Sequence, residues 1–150
     1  MKSPKTTVGW REWLALPALG IPAIKAKVDT GAKTSALHAF IVNPYMKDQE
    51  PWVQFFIHPL QHDLDTVVEC HARLSDQRQV TDSGGHQEMR YVIKTEITLG
   101  DQQLEAEITL TDRESMKFRM LLGRNVLKQG FVVDSDQSFL LGKQPVHGCH

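Results

Sequence analysis

One chain of 150 residues has the length of a single domain, and 41% hydrophobic with 23% charged residues is ordinary for a soluble globular protein. That composition excludes a disordered tail, a collagen-like chain and a coiled coil. Seventeen basic against 18 acidic side chains leave a net charge of −1, so no long-range field favours nucleic acid or a membrane surface. Protonating all seven histidines would carry the charge to about +6, a response to mild acid.

In chain order, Trp10 and Trp13 flank Arg11 and Glu12 in a strand-like start, where aromatic anchors of a core edge are expected. Ile24, Ala26 and Val28 alternate with Lys25 and Lys27, a strand with one buried face. Trp52 to Ile57 and Arg90 to Leu99 also look extended. Thr81-Asp82-Ser83-Gly84-Gly85-His86 is a turn signal. Leu99-Gly100-Asp101-Gln102 is a second one, a hairpin between Arg90–Leu99 and the alternating run Leu104, Ala106, Ile108, Leu110. Helical signal is confined to a short segment after Gly123, through Arg124 to Lys128, ended by Gly130. Met116 and Met120 are packing residues. Many short strands, regular turns and one short helix predict an all-β barrel or sandwich.

No apolar leader follows Met1, and the apolar stretch from Trp10 to Val28 is broken by charges and prolines. Cys70 and Cys149 match no disulfide framework or zinc ribbon. A cytoplasmic location is therefore expected.

The segment that carries chemistry is Ala26-Lys27-Val28-Asp29-Thr30-Gly31-Ala32-Lys33-Thr34-Ser35-Ala36. An apolar strand ends in a carboxylate, and Thr-Gly-Ala then turns the chain. Gly31 is expected to allow the sharp bend, Ala32 to leave space and Thr30 to hydrogen-bond the turn. Asp-Thr-Gly alone is a weak signal, more often a plain turn than a site. A second segment strengthens it: Phe118-Arg119-Met120-Leu121-Leu122-Gly123-Arg124-Asn125, an apolar strand running into Gly and a short helix.

In that order and spacing the two segments resemble the retropepsin-like aspartic peptidases. The resemblance is closer to one bacterial branch, the RimB-like family catalogued as ATP-dependent zinc proteases and associated with RimK-type glutamate ligases. It rests on Val8-Gly9-Trp10-Arg11-Glu12-Trp13, on Lys27 to His38, on Val80 to His86 and on Met120 to Arg124, and spans about residues 6 to 142. It implies one domain over 1–150, an all-β closed retropepsin-like (acid protease) barrel with a flap hairpin and one short C-terminal helix. The tail 143–150 is expected to be mobile. The flap falls around Ser83-Gly84-Gly85, between Arg78 and Tyr91.

The resemblance further implies Asp29, Thr30 and Gly31 as catalytic residues, with Ala32, Lys33, Ser83, Gly84, Gly85, Arg90 and Arg124 around the substrate. Aspartic peptidase chemistry needs two carboxylates sharing a proton, and this chain has a single Asp-Thr-Gly. A homodimer pairing two Asp29 residues is therefore expected. Retroviral relatives place acidic residues after the Ala to pair with the Arg of Gly-Arg-Asn. Here those positions are Lys33, Thr34 and Ser35, so Arg124 must find another partner or stay open to carboxylates. The flap carries Asp82, His86, Glu88 and Arg90, which points to a polar or acidic substrate. Lys33, Arg90 and Arg124 suit glutamate side chains. Glutamate-rich peptides or tails, such as those of a ribosomal protein, fit the link to a glutamate ligase.

Zinc and ATP enter only through the family's catalogue name. No His-Glu-x-x-His, phosphate-binding loop or dinucleotide motif is present. His58 and His62, the adjacent Cys70 and His71, and His147-Gly148-Cys149-His150 are more simply surface or packing residues. No metal ligand and no cofactor are expected. The alternative to an enzyme is a non-catalytic peptide- or partner-binding module on the same fold, and a metal-dependent hydrolase comes third.

Overall fold

Alternation and turn chemistry divide the described residues into eleven strands, one 3-10 turn (Pro17–Leu19) and one short α-helix. The computed structural model describes residues 5–59, 65–81, 84–85, 87–111 and 118–142. The strands are β1 (Thr6–Val8), β2 (Arg11–Leu16), β3 (Ile21–Val28), β4 (Ser35–His38), β5 (Phe40–Lys47) and β6 (Glu50–Ile57). They continue with β7 (Val68–Thr81), β8 (Gln87–Leu99), β9 (Gln102–Thr111), β10 (Met120–Leu122) and β11 (Phe131–Val133). Helix α1 (Arg124–Leu127) lies between the last two strands.

A nine-stranded sheet runs β2-β3-β10-β4-β9-β8-β7-β6-β5. It closes where Ala15 of β2 pairs with Thr98 of β8, making a six-stranded barrel of β2, β3, β10, β4, β9 and β8. Closure removes the free edges that an open sheet exposes. Strands β7, β6 and β5 extend from β8 as an antiparallel apron. The expected barrel is thus the observed one.

The inward faces fill the barrel. Leu14, Leu16, Ile24, Leu37, Ile93, Ile97, Ile108 and Met120 are all under 2% exposed. Each such side chain contributes roughly 1.5–3 kcal/mol relative to leaving it in water. In β3 the expected alternation holds: Ile24, Ala26 and Val28 are buried, and Lys27 is exposed. Gly100, at φ +65, joins β8 to β9 in a two-residue hairpin, as its sequence predicts. Asp48 and Gln49 do the same for β5 and β6, both with positive φ.

The end of the described chain is tied back to its start. β1 pairs parallel with β11, and residues 134–142 then cross over Gly9–Glu12. Trp10 N–H donates to the Gln137 carbonyl and Phe139 N–H to that of Arg11. At Gly9 a Cβ would overlap the Gln137 carbonyl, so only glycine admits the crossing. Glu12, fully buried, accepts from the Gly9, Leu140 and Leu141 N–H groups at 2.7, 2.8 and 3.1 Å. Trp10 and Trp13 are half-buried on the outside of the barrel, not in its core. The Arg11 guanidinium lies between the rings of Trp10 and Phe139, and Trp13 stacks on Phe139. Met120 is in the core; Met116 lies outside the described residues.

Candidate active site

The Asp29 loop leaves the barrel where β3 ends. Val28 is paired with Leu122 of β10, and Asp29 N–H continues that ladder to the Leu122 carbonyl at 2.8 Å. The carboxylate is therefore delivered by a strand anchored on both edges. Ala32 N–H donates back to the Asp29 carbonyl at 3.2 Å, and Gly31 N–H donates to Asp29 Oδ1 at 3.0 Å. Asp29 is half-buried, while Thr30 and Gly31 stand exposed at the tip.

Two expectations about this turn change. The φ of Gly31 lies outside the left-handed region, so its value is space rather than a bend. A Cβ there would come within 3.3 Å of Asp29 Oδ1. The Thr30 hydroxyl has no hydrogen-bond partner among the described residues; the turn is held by Asp29 itself and by Arg124. Arg124 Nη1 donates to the Thr30 carbonyl at 3.0 Å. The guanidinium thus finds its partner in the backbone of the loop that carries Asp29, in place of an acidic side chain.

Behind the loop, Gly123 passes so close that a Cβ would lie 2.5 Å from the Thr34 carbonyl carbon and oxygen. That contact lets Arg124 N–H reach the Ala32 carbonyl at 2.8 Å and Asn125 N–H reach that of Lys33 at 3.1 Å. The first N–H groups of α1, which have no partner inside a helix, are thereby satisfied by the Asp29 loop. Ser35, fully buried, accepts from Gly123 N–H at 3.0 Å and donates to Asn125 Oδ1 at 2.9 Å. Asn125 Nδ2 donates to the Glu107 carbonyl on β9 at 2.8 Å. Strand β4, helix α1 and β9 thus clamp one loop.

Of the residues expected around a substrate, Ala32, Lys33 and Arg90 meet in one cavity with Thr34, Ala36, Thr109, Thr111 and Leu121. Arg124 and Lys33 line a second, adjoining cleft with Thr34, Arg78, Glu107, Asn125 and Lys128. The expected flap is the distal part of the β7–β8 hairpin, in register from Gln77 opposite Tyr91 to Thr81 opposite Gln87. Gly84 and Gly85 are exposed at its turn, with Gly85 at φ +85. Neither lines the two cavities. Ser83, Asp82 and His86 lie outside the described residues, as do His62 and the tail 143–150 with His147, Cys149 and His150.

Sequence reasoning missed Ser35, Thr109, Thr111, Arg78 and Lys128. The threonines had a signal: Thr109 sits between the inward Ile108 and Leu110 of β9, Thr111 follows Leu110 in the same alternation, and both are buried. Arg78 is held by Asp76, whose carboxylate accepts from Arg78 Nε at 2.8 Å. That bond, with the Gln77 N–H, holds the Asp76 carboxyl below its usual range.

Among the described residues no three His, Cys, Asp or Glu side chains gather in one place. Cys70 and His71 point to opposite faces of β7. Cys70 is buried with its thiol toward the Leu19 carbonyl, and burial pushes its pKa up to about 12, away from a thiolate ligand. His71 is exposed and bonded to Tyr45 and Glu69.

A closed barrel that presents Asp-Thr-Gly from a strand end, clamped by a Gly-Arg-Asn helix, is the retropepsin-like architecture. The chain belongs to the RimB-like family, the retropepsin-like aspartic endopeptidases RimB, whose model matches residues 7–144. Curated relatives from Shewanella halifaxensis and Parasynechococcus marenigrum, both named "Probable alpha-L-glutamate ligase", are 46% identical over 144 residues and 45% over 138. They match 96% and 92% of this chain, which spans only 31% and 30% of their own length. A Legionella pneumophila protein of unknown function, Lpg0085, shares the fold at TM-score 0.77 and 23% identity, over 91% of this chain and 98% of that one. No helix among the described residues is long and apolar enough to cross a membrane.

Proposed function

We propose that the protein is an aspartic-type peptidase or related amide hydrolase whose Asp29 pairs with Asp29 of a second copy. The observation that carries the reading is the Asp29 loop: a half-buried carboxylate on a clamped strand end, with an exposed Thr30-Gly31 tip that another chain can reach. Two carboxylates brought together share one proton, because like charges at short range do not both ionise. The ionised member takes a proton from water, and the resulting hydroxide attacks the peptide carbonyl. The protonated member donates to the carbonyl oxygen as the tetrahedral intermediate forms. That intermediate collapses as the amide nitrogen takes a proton from the dyad and leaves as an amine. Gly31 N–H, on Asp29 Oδ1, fixes which oxygen faces the water.

The cations flanking the loop support an acidic peptide as substrate. Relatives that carry this domain within a protein named as a glutamate ligase support glutamate-rich tails in particular, with a functional link to a RimK-type ligase. Sedimentation equilibrium across a wide concentration range tests the pairing, and a persistent monomer defeats it. Cleavage of glutamate-rich peptides, abolished in Asp29→Asn with the dimer retained, tests the chemistry. Arg124 bonds a backbone carbonyl in place of an acidic side chain, and this, with the charged flap, favours the second reading, a non-catalytic peptide- or partner-binding module. In that case Asp29→Asn leaves peptide binding unchanged and there is no turnover to lose.

A further inference from the structure

A net charge of −1 hides a local excess. On the outward face of the barrel, Arg11 of β2 lies opposite Lys27 of β3, and Trp13 lies opposite Lys25. Lys27 is in turn opposite Leu121 of β10, and the same register carries Arg119 beside Lys25. His38 N–H donates to the Arg119 carbonyl at 2.8 Å, which continues the ladder between β10 and β4 through that position. The outward positions along these three strands carry four cations and no carboxylate, since Glu12 points into the barrel. None of the four forms an ion pair among the described residues, and Arg119 Nε is buried without a hydrogen-bond partner.

Two of these cations sit on aromatic rings. The Arg11 guanidinium carbon is 4.5 Å from the centre of the Trp10 ring and 4.8 Å from that of Phe139. Lys25 Nζ is 5.7 Å from the centre of the Trp13 ring and 5.9 Å from that of Phe118. A guanidinium lying between rings presents its N–H donors at its edge, the fork that grips a phosphate. Arg11 Nε donates to Ser138 Oγ at 3.2 Å, and both Nη groups are without a partner among the described residues. Trp10, Trp13 and Phe139 are half-buried and so keep aromatic surface beside the charges. A single-stranded nucleic acid uses both, phosphates on cations and bases on rings, whereas an acidic peptide uses the charges alone. We infer that this face is a binding track for single-stranded nucleic acid. Through Leu121 it borders the cavity beside the Asp29 loop, so a bound strand lies alongside the candidate active site. The inference goes beyond the peptidase reading and does not rest on it.

The test is fluorescence anisotropy of the full chain with a labelled oligouridylate of about 12 nucleotides, across a salt series. Four phosphate contacts give a slope of about −2.8 in log affinity against log salt. Lys25→Gln combined with Lys27→Gln is expected to weaken binding about tenfold and to flatten the slope by about 1.4. Lys27→Gln alone, at an exposed position, flattens it by about 0.7 and keeps the test decisive should the double variant not fold. Arg73→Gln combined with Lys94→Gln removes two cations that pair with Glu50 and Glu105 on other strands, and leaves affinity and slope unchanged. In a Trp52→Phe chain the remaining tryptophans are Trp10 and Trp13, and the oligonucleotide should quench their fluorescence. No binding, binding without quenching, or equal loss in the two double variants overturns the track. Oligoglutamate of matching charge that binds as tightly, and loses as much from the lysine substitutions, assigns the face to an acidic peptide and overturns it too.

Discussion

The Asp29 loop and the flap hairpin are both β-strand ends reaching beyond the barrel, yet they are held in different ways. The loop is fastened from behind by backbone contacts to β10 and α1 and by the buried Ser35 hydroxyl. The flap beyond Leu74 is held by its ladder and, near its base, by the Ser75 hydroxyl donating to Glu107 on β9 at 2.6 Å, and the side chains of Ser75 to Gln79 are all exposed. What it has besides are exposed side-chain pairs, Asp76 with Arg78 and Gln79 with Gln87. A carboxylate that must meet its symmetry mate needs fixed placement, which close packing supplies. A cover that must admit a peptide is drawn from the least packed part of the structure.

The comparison is broken most severely at Gly123. Gly123→Ala forces a methyl against the Thr34 carbonyl and should cost about 3 kcal/mol or more, read from denaturant midpoints. Next is Glu12, opposite Ala26 on the strand that carries Asp29. Glu12→Ala strands up to three N–H donors and should cost about 2–3 kcal/mol, with Glu12→Gln about half of that because one acceptor remains. On the flap, Gln79→Ala should change stability by no more than about 0.5 kcal/mol. Any effect there belongs in KM for peptides, and a stability loss like that of Glu12→Ala would erase the contrast between the two regions.

The smallest effect at neutral pH is at Cys70, on the β7 strand that continues into the flap. Its folded pKa, about 12, lies above the ordinary 9.0, so the proton is held more tightly in the folded state. That contribution to stability is complete below pH 9 and is lost as pH rises from there toward 12. Alkylation at pH 8 should therefore leave Cys70 unmodified in the native protein and label it in denaturant, as peptide mapping would show.

The sequence by itself determined the strands with clean alternation, the Gly100 hairpin, the short helix and the two segments that announce the barrel. These are local signals: period-two burial, turn residues and a carboxylate at a strand end. Strand β7 escaped because its pattern weakens midway; Cys70 and Ala72 are buried, but the run from Ser75 to Gln79 has no buried face to mark it. Glu12 was legible in principle, since it shares the inward face with Leu14 and Leu16, but nothing local says that residues 134–142 return to satisfy it. Only the tertiary structure decided that Arg124 bonds the Thr30 carbonyl and that Ser35 braces Gly123. It alone set Thr111 beside Lys33 and Arg90. Each of those pairings joins residues at least 20 positions apart, and distance along the chain carries no record of which strands a closed barrel makes neighbours.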